Sequence, residues 1–356
     1  MLIGRFEMTA ISGPGFALPE PAGAGAGTTD HAGPRWIGSQ VALAAGCLAL
    51  ALAVLLPTYV YHHLAVLPDD PQQEQVQIAT GATALVPNVQ IPAGAQVMHD
   101  VVVRISTYIA AAPDASEGGS VVWQLATTTS VDGQGLLDAR VETVSLDPRT
   151  AEPTNCCGDR LVTSQEDPEG VALRHQGYLA FPFDVQKHSY PVWDVQLNRA
   201  RTAAYQGEEN RDGFRTYRFR ASNEWTKVGT QEVPGALFGL SAPSVVADSE
   251  YADTRTYWIE PASGSVVGLR ENLRQRLTYQ GHSVTALTAD LDSPRLSGDI
   301  LQQTRSGARW LPWLRGRASI VLVILGLALI GFWAFVMFAA RPADGPGRTT
   351  ESDNLG

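Results

Sequence analysis

Cys156 and Cys157 stand side by side in the motif TNCCGD, and neighbouring thiols have few kinds of chemistry open to them. Outside the cytoplasm they can close a vicinal disulfide in a tight turn, with Gly158 easing the backbone; otherwise they stay reduced or pair elsewhere. Adjacent cysteines do not form a CxxC metal or redox site. Cys47 lies in an apolar segment and reads as a small packing residue. His175, His188 and His282 are isolated among polar neighbours, and His62-His63 has no third ligand nearby and reads as an interfacial anchor. The run Glu166-Asp167-Pro168-Glu169 reads as a solvated loop. GxSxG, HExxH, Walker-loop and GxGxxG patterns do not occur. The expectation is therefore a protein that is not an enzyme and uses no metal or cofactor.

The densest aromatic cluster is Phe181 and Phe183 in FPFD with Tyr190 and Trp193 in YPVWD. Such rings supply large contact area, so they can wall an apolar cavity. They can equally make a packed corner where two proline-broken edge segments cross a sheet. The two readings agree if the corner lines the cavity.

The elements that position these residues read as β. Alternation and β-branched content dominate from about Val76 onward, with strands expected at 101–111, 121–131, 136–146, 214–228, 253–260, 266–279 and 283–291. A turn is expected at 113–119. Charged residues alternate with apolar ones, so most strands should be dry on one face and wet on the other. Short turns argue for antiparallel neighbours. Asp147-Pro148-Arg149-Thr150 and Glu260-Pro261-Ala262-Ser263 each end a strand in acid-Pro-x-hydroxyl, a turn recipe in which the hydroxyl can bond the backbone. The stretch 295–314 can be a helix leading into the last apolar segment. The fold class expected is mainly β: a large curved antiparallel sheet with some short helices, between two terminal transmembrane helices.

Those helices are 37–56 and 320–340, each long enough to cross a ~30 Å hydrocarbon layer. The division expected is a disordered cytoplasmic tail at 1–36, a span at 37–56 (an uncleaved anchor), an exoplasmic β-rich domain at 57–319, a span at 320–340 and a disordered cytoplasmic tail at 341–356. Arg35 precedes the first span and no Lys or Arg closely follows it, which puts both termini in the cytoplasm and the central domain outside the plasma membrane. Arg309, Arg315 and Arg317 before the second span oppose that rule. The first span usually dominates, and the arginines would then meet anionic headgroups at the outer surface. Trp36, Tyr59, Tyr61, Trp310 and Trp313 flank the spans as interfacial rings should. Gly38, Ala42 and Gly46 recur every four residues, a spacing that lets helices approach closely, within one chain or in a homo-oligomer. The chain has 356 residues and a formal charge of −10, and it shows no basic stripe with interleaved aromatics, so nucleic-acid binding is not expected.

DPRTAEPTNCCGDR, GYLAFPFDVQKHSYPVWD and YWIEPASGSVVGLRENL between terminal spans resemble the actinobacterial DUF3068 family, often labelled the porin PorA family. The likeness covers nearly the whole chain except the N-terminal tail. It implies an actinobacterial cell-envelope protein and brings no catalytic residues. Three functions are open at this point. The half-dry sheet can shelter a lipid or glycolipid; the chain can be a structural or assembly subunit of the envelope; or it can form a porin-like pore, as the family label suggests. A helical pore needs a polar stripe, and 320–340 carries no charged or amide residue.

Overall fold

The computed structural model describes residues 34–88, 94–112, 119–296 and 298–339. The expected turn at 113–119 and both terminal tails lie almost wholly outside these residues, as do the side chains of Arg35 and Trp36.

An unbroken alanine- and leucine-rich run makes helix α1 (Pro34–Leu55), which passes through a π-helical turn at Leu56–Val60 into the short α2 (Tyr61–Leu64). At the other end, α3 (Gly298–Pro312), a second π-helical turn (Trp313–Arg317) and α4 (Ala318–Ala339) form one continuous helical rod. The helical segments Gly38–Leu64 and Gly298–Ala339 are long and apolar enough to cross a membrane. The expected helix at 295–314 is thus the first half of the second rod. α1 and α4 pack through their glycines. A β-carbon on Gly46 would lie 2.8 Å from Ile330 and 2.9 Å from the Gly326 carbonyl oxygen, so only hydrogen fits there.

Between the helices runs a 12-stranded sheet in which every paired neighbour is antiparallel: β1 (Gln73–Pro87), β2 (Ala95–Ala111), β3 (Val121–Val131), β4 (Gly135–Leu146), β5 (Arg160–Val162), β6 (Val171–Ala172), β7 (Tyr190–Asp194), β8 (Arg199–Arg211), β9 (Phe214–Val233), β10 (Val245–Ile259), β11 (Val266–Tyr279) and β12 (His282–Asp292). The order is β6-β5-β4-β3-β2-β1-β12-β11-β10-β9-β8-β7. The first and last long strands of this meander, β1 and β12, pair at its centre. The mainly β expectation holds, and β3 and β11 match the expected limits. β9 extends five residues further, to Val233, and β7 and β8 are strands where the sequence reading had only edge segments or none.

The sheet curls. Side chains from β1–β3 meet those of β10–β12 in one core built on Val103, Val131, Tyr251, Leu273, Leu287 and Leu291. A 3₁₀ turn at Gly235–Phe238 helps close the end far from the helices, with Leu237 and Phe238 against Val233, Val245 and Leu277. No ladder joins β6 to β7 among the described residues, yet the two ends meet. The segment after β6 crosses the gap: Leu173 N donates to Asp159 O (2.9 Å) and Tyr178 N to Pro191 O (2.8 Å). Pro191 sits in the outermost strand, where its missing N–H breaks no ladder bond.

The two acid-proline turns form as expected: Thr150 Oγ1 accepts from Glu152 N and Ser263 Oγ from Ser265 N, both at 3.3 Å, and the carboxylates add shorter bonds. The Asp147 carboxylate accepts from Arg149 N and Thr150 N, both at 2.8 Å, and Glu260 accepts from Ala262 N and Ser263 N. The carboxylate bonds are the shorter ones because an ionised acceptor makes the stronger bond to backbone N–H.

Candidate functional site

The curled sheet encloses a cleft of about 590 Å³. Strand alternation builds its walls. β3 points Leu125, Thr127 and Thr129 inward, and β11 points Leu269, Glu271, Leu273, Gln275 and Leu277 inward, so hydroxyl, amide and charged groups are interleaved with aliphatic ones. Thr107 and Thr127 bond across β2 and β3 at 3.0 Å. Gln77 also lines the cleft, and its buried Nε2 has no hydrogen-bond partner. The cleft extends along β1 from Gln75 to Leu85, roughly 33 Å at ~3.3 Å per residue.

Two buried polar networks shape this interior. In the first, Arg201 and Arg255 face three carboxylates. Arg201 bonds both oxygens of Asp253, the longer bond at 2.7 Å, and its Nε lies 3.0 Å from Asp194. Arg255 Nε lies 2.9 Å from Glu271 and 3.3 Å from Asp253, and Nη2 donates to the Tyr251 hydroxyl at 3.1 Å. Asp194 is fully buried and also accepts from Gln196 N and Leu197 N, which fixes the turn between β7 and β8 inside the sheet with Leu197 against the core. Burial opposes the charge on Arg255, but the carboxylates of Glu271 and Asp194 outweigh it and hold the guanidinium firmly protonated. Burial pushes the Tyr251 hydroxyl up, so it stays neutral.

The second network joins the two ends of the sheet. Glu142 of β4 accepts from His175 Nε2 at 2.8 Å and from Trp193 Nε1 of β7 at 2.7 Å. His175 Nδ1 lies 2.7 Å from Asp159, which also accepts from Ser145 Oγ at 2.5 Å. Burial works to lower the His175 pKa, but the bonds to Asp159 and Glu142 prevail and push it up to about 9. Burial likewise works to raise Asp159, and the bonds from His175 and Ser145 hold it below its ordinary value. His175 had looked isolated; its partners lie 33 and 16 residues away, beyond the reach of a sequence motif.

The cysteines sit against this network. Cys156 and Cys157 form a vicinal disulfide. Cys156 N donates to Ser145 Oγ at 3.1 Å, and Asn155 exchanges two hydrogen bonds with the His175 backbone. The aromatic quartet divides. Phe181 and Tyr190 pack in one buried cluster with Phe219, their rings 5.6 Å apart. Phe181 and Trp193 also line the cleft, so the corner is packed and is a wall at the same time. Phe183 lies outside the cleft, packed toward the helical base with Tyr61 and Leu311. Of the small residues in α1, Ala42 is buried and Gly46 touches α4, while Gly38 has open space around it. Arg309 lies over Trp310 (5.2 Å), Arg317 is exposed, and Arg315 is not a free cation, because it pairs with Asp184.

The cleft has a side opening. β8 pairs with β9 only over Ala204–Arg211 and then leaves it to pair with β7, so β9 from residue 221 onward borders β10 alone. β5 covers β4 only at Val141–Thr143, which leaves 135–140 bare on that side. Both bare edges contribute to the cleft, through Leu137 and Arg140 on one side and Val228 and Gln231 on the other.

Two helices long and apolar enough to cross a membrane and a curled sheet around a partly polar cleft define the class: a β protein flanked by two membrane-length helices. The profile of the family Porin PorA matches residues 38–335, and the chain belongs to that family. It is similar to a Porin PorA of Corynebacterium amycolatum, with 22% identity over 370 residues covering 80% of this chain and 96% of the relative.

Proposed function

We propose that the sheet domain shelters one amphipathic molecule, a lipid or glycolipid of the cell envelope, in its interior cleft and holds it near the membrane. The observation that carries this reading is the interleaved lining: aliphatic side chains suit an acyl chain, while Thr127, Thr129 and Gln275 offer hydrogen bonds to a polar head. The unpartnered Gln77 amide supports it, because a buried N–H without an acceptor is costly and a ligand oxygen would satisfy it. The charged groups of Arg201, Arg255, Asp194, Asp253 and Glu271 are already paired with one another, which favours a neutral head over an anionic one.

The test is lipid mass spectrometry of the full chain extracted in mild detergent, compared with a cleft-filled variant, Thr127→Trp with Leu273→Trp. A stoichiometric lipid retained by the native chain and lost from the variant supports the reading. Identical lipid content in both would place all of it around the helices and sink the proposal.

A second reading, a pore, is favoured by the family name and by the name of the Corynebacterium relative. It predicts ion conductance from the purified chain in planar bilayers, and conductance that the same cleft-filled variant abolishes would select it over the carrier.

A further inference from the structure

A second cavity, of about 400 Å³, lies where the sheet meets its helical base. Tyr61, Asp184, Leu311, Pro312, Arg315 and Gly316 line it. The pocket is built by both π-helical turns: one runs into Tyr61, and the other contains Arg315 and Gly316. Asp184 is brought there by the FPFD segment, whose backbone is pinned to the β10–β11 turn. Asp184 N donates to Ala262 O at 3.1 Å and Val185 N to Pro261 O at 2.7 Å. That turn admits no side chain at Gly264, where a β-carbon would lie 2.5 Å from the carbonyl oxygens of Phe181 and Pro182. The main chain at Asp184 is therefore held by backbone contacts, and its carboxylate accepts from Gln186 Nε2 at 2.7 Å.

Arg315 and Asp184 form an ion pair in this pocket, and both side chains keep contact with solvent, at 51% and 38% exposure. Such wet pairs exchange partners easily, since water already screens their attraction. The guanidinium also lies 5.9 Å from the Tyr61 ring centre. Trp310 and Trp313, both exposed, flank the pocket in sequence, and rings of this kind settle at the headgroup layer of a bilayer.

We infer that this cavity is a binding site for a zwitterionic phospholipid headgroup, phosphate against Arg315 and primary ammonium against Asp184. One cation and one anion side by side complement a group that carries the opposite pair, and each charge then has two opposite neighbours. A purely anionic headgroup would satisfy Arg315 and leave Asp184 with only the neutral Gln186 amide and no cation of its own. A choline head would bring a quaternary nitrogen with no hydrogen to donate to the carboxylate, and the Tyr61 face is already turned to Arg315. The lipid is drawn from the surrounding bilayer, because the site lies near the end of the first membrane-length helix and immediately before the apolar α4. The site stands independently of what the interior cleft holds.

The experiment is native mass spectrometry of the full chain, with bound lipid counted after exchange into detergent containing equimolar phosphatidylethanolamine, phosphatidylcholine and phosphatidylglycerol. The native chain should retain one phosphatidylethanolamine, at least fivefold over either competitor. Asp184→Asn should lose that preference and retain phosphatidylglycerol as well, while Arg315→Gln should retain none of the three at this site. Melting curves of both variants check that the chain is folded, and Arg315→Lys should retain binding in part. Equal retention of the three lipids by the native chain, or an Asp184→Asn variant with unchanged preference, would overturn the proposal. The cleft-filled variant should keep the phosphatidylethanolamine, which separates this result from the fate of the interior ligand.

Discussion

His175 is a residue whose charge the fold changes within the ordinary pH range. Both ring nitrogens face carboxylates, so the imidazolium is the form that the seam between β4 and β7 is built around. Its folded pKa of about 9 lies above the ordinary 6.5. Below pH 6.5 both folded and unfolded chains carry the proton and the full stabilisation is present; between 6.5 and about 9 the unfolded chain has lost it, and stability falls as pH rises until nothing remains above 9. The whole effect is on the order of 3 kcal/mol. The expected result is that His175→Gln melts below the native chain at pH 6 and that the gap narrows steadily toward pH 9. A gap that stays constant over that range would show that the imidazole is neutral in the fold. The neighbouring disulfide acts differently. Its ring spans adjacent residues, so it removes little loop entropy from the unfolded chain, and what it contributes is the shape of the turn that aims Asn155 at His175. Asp194 offers a second test at this scale. It is fully buried against Arg201 and Arg255 and fixes the turn after β7, so Asp194→Ala removes one of the three carboxylates facing the two guanidiniums and leaves Gln196 N and Leu197 N without their acceptor. A loss of roughly 1–3 kcal/mol in urea unfolding is expected, together with faster amide exchange at Gln196 and Leu197. Unchanged exchange there would mean that the turn is held by Leu197 packing alone.

Among the elements, legibility followed the strength of the pattern. VVWQLATTTSV, rich in β-branched residues, and the long run of β11, bounded by Ser263-Gly264 and Gln280-Gly281, could be read to the residue. β1 is broken by Gly81, whose positive φ of 73° marks an irregularity that disturbs the period of two, and its start was not located. β8 has the sequence RARTAAYQGEENR, too polar to announce a strand; it forms because β7 and β9 border it. The paired charges were partly visible. Asp253, Arg255 and Tyr257 share one face of β10 at spacing two, and polar groups on a face that also carries Tyr251 are a sign of an interior network. Their partners Asp194, Arg201 and Glu271 come from other strands, which only the fold brings near. The helical pair was legible in kind but not in register, since Gly46 meets α4 and Gly38 does not. Gly46→Val should therefore force α1 and α4 apart and destabilise the chain in detergent by about 1–3 kcal/mol, while Gly38→Val changes nothing measurable in the same melting assay. Equal effects at both positions would shift the contact to the whole small-residue face.

For the whole molecule, the arrangement of closed and open edges decides how anything reaches the interior. Near the helices the cleft is shut by the aromatic corner, where Phe181 packs on Tyr190, Phe219 and Tyr257. Further along, β8 turns away from β9 and β5 stops short on β4, and the two bare edges lie on either side of the cleft. Bare edges are usually covered or charged, because unpaired N–H and C=O groups invite another strand; here Arg140 and Lys227 lie on them. A molecule that enters from the side passes Leu137 and Val228, whereas one that comes straight from the bilayer must displace the corner at Phe181 and Val266. The two routes separate kinetically. Uptake of a fluorescent acyl-chain probe from vesicles by the full chain should slow several-fold in Leu137→Trp and Val228→Trp and be little changed in Val266→Trp. The bound amount at equilibrium should stay the same in the mouth variants, since they narrow the path and leave the lining beyond it intact. Slowing confined to Val266→Trp would reverse the route, making the aromatic corner the gate and the bare edges a surface for a partner strand.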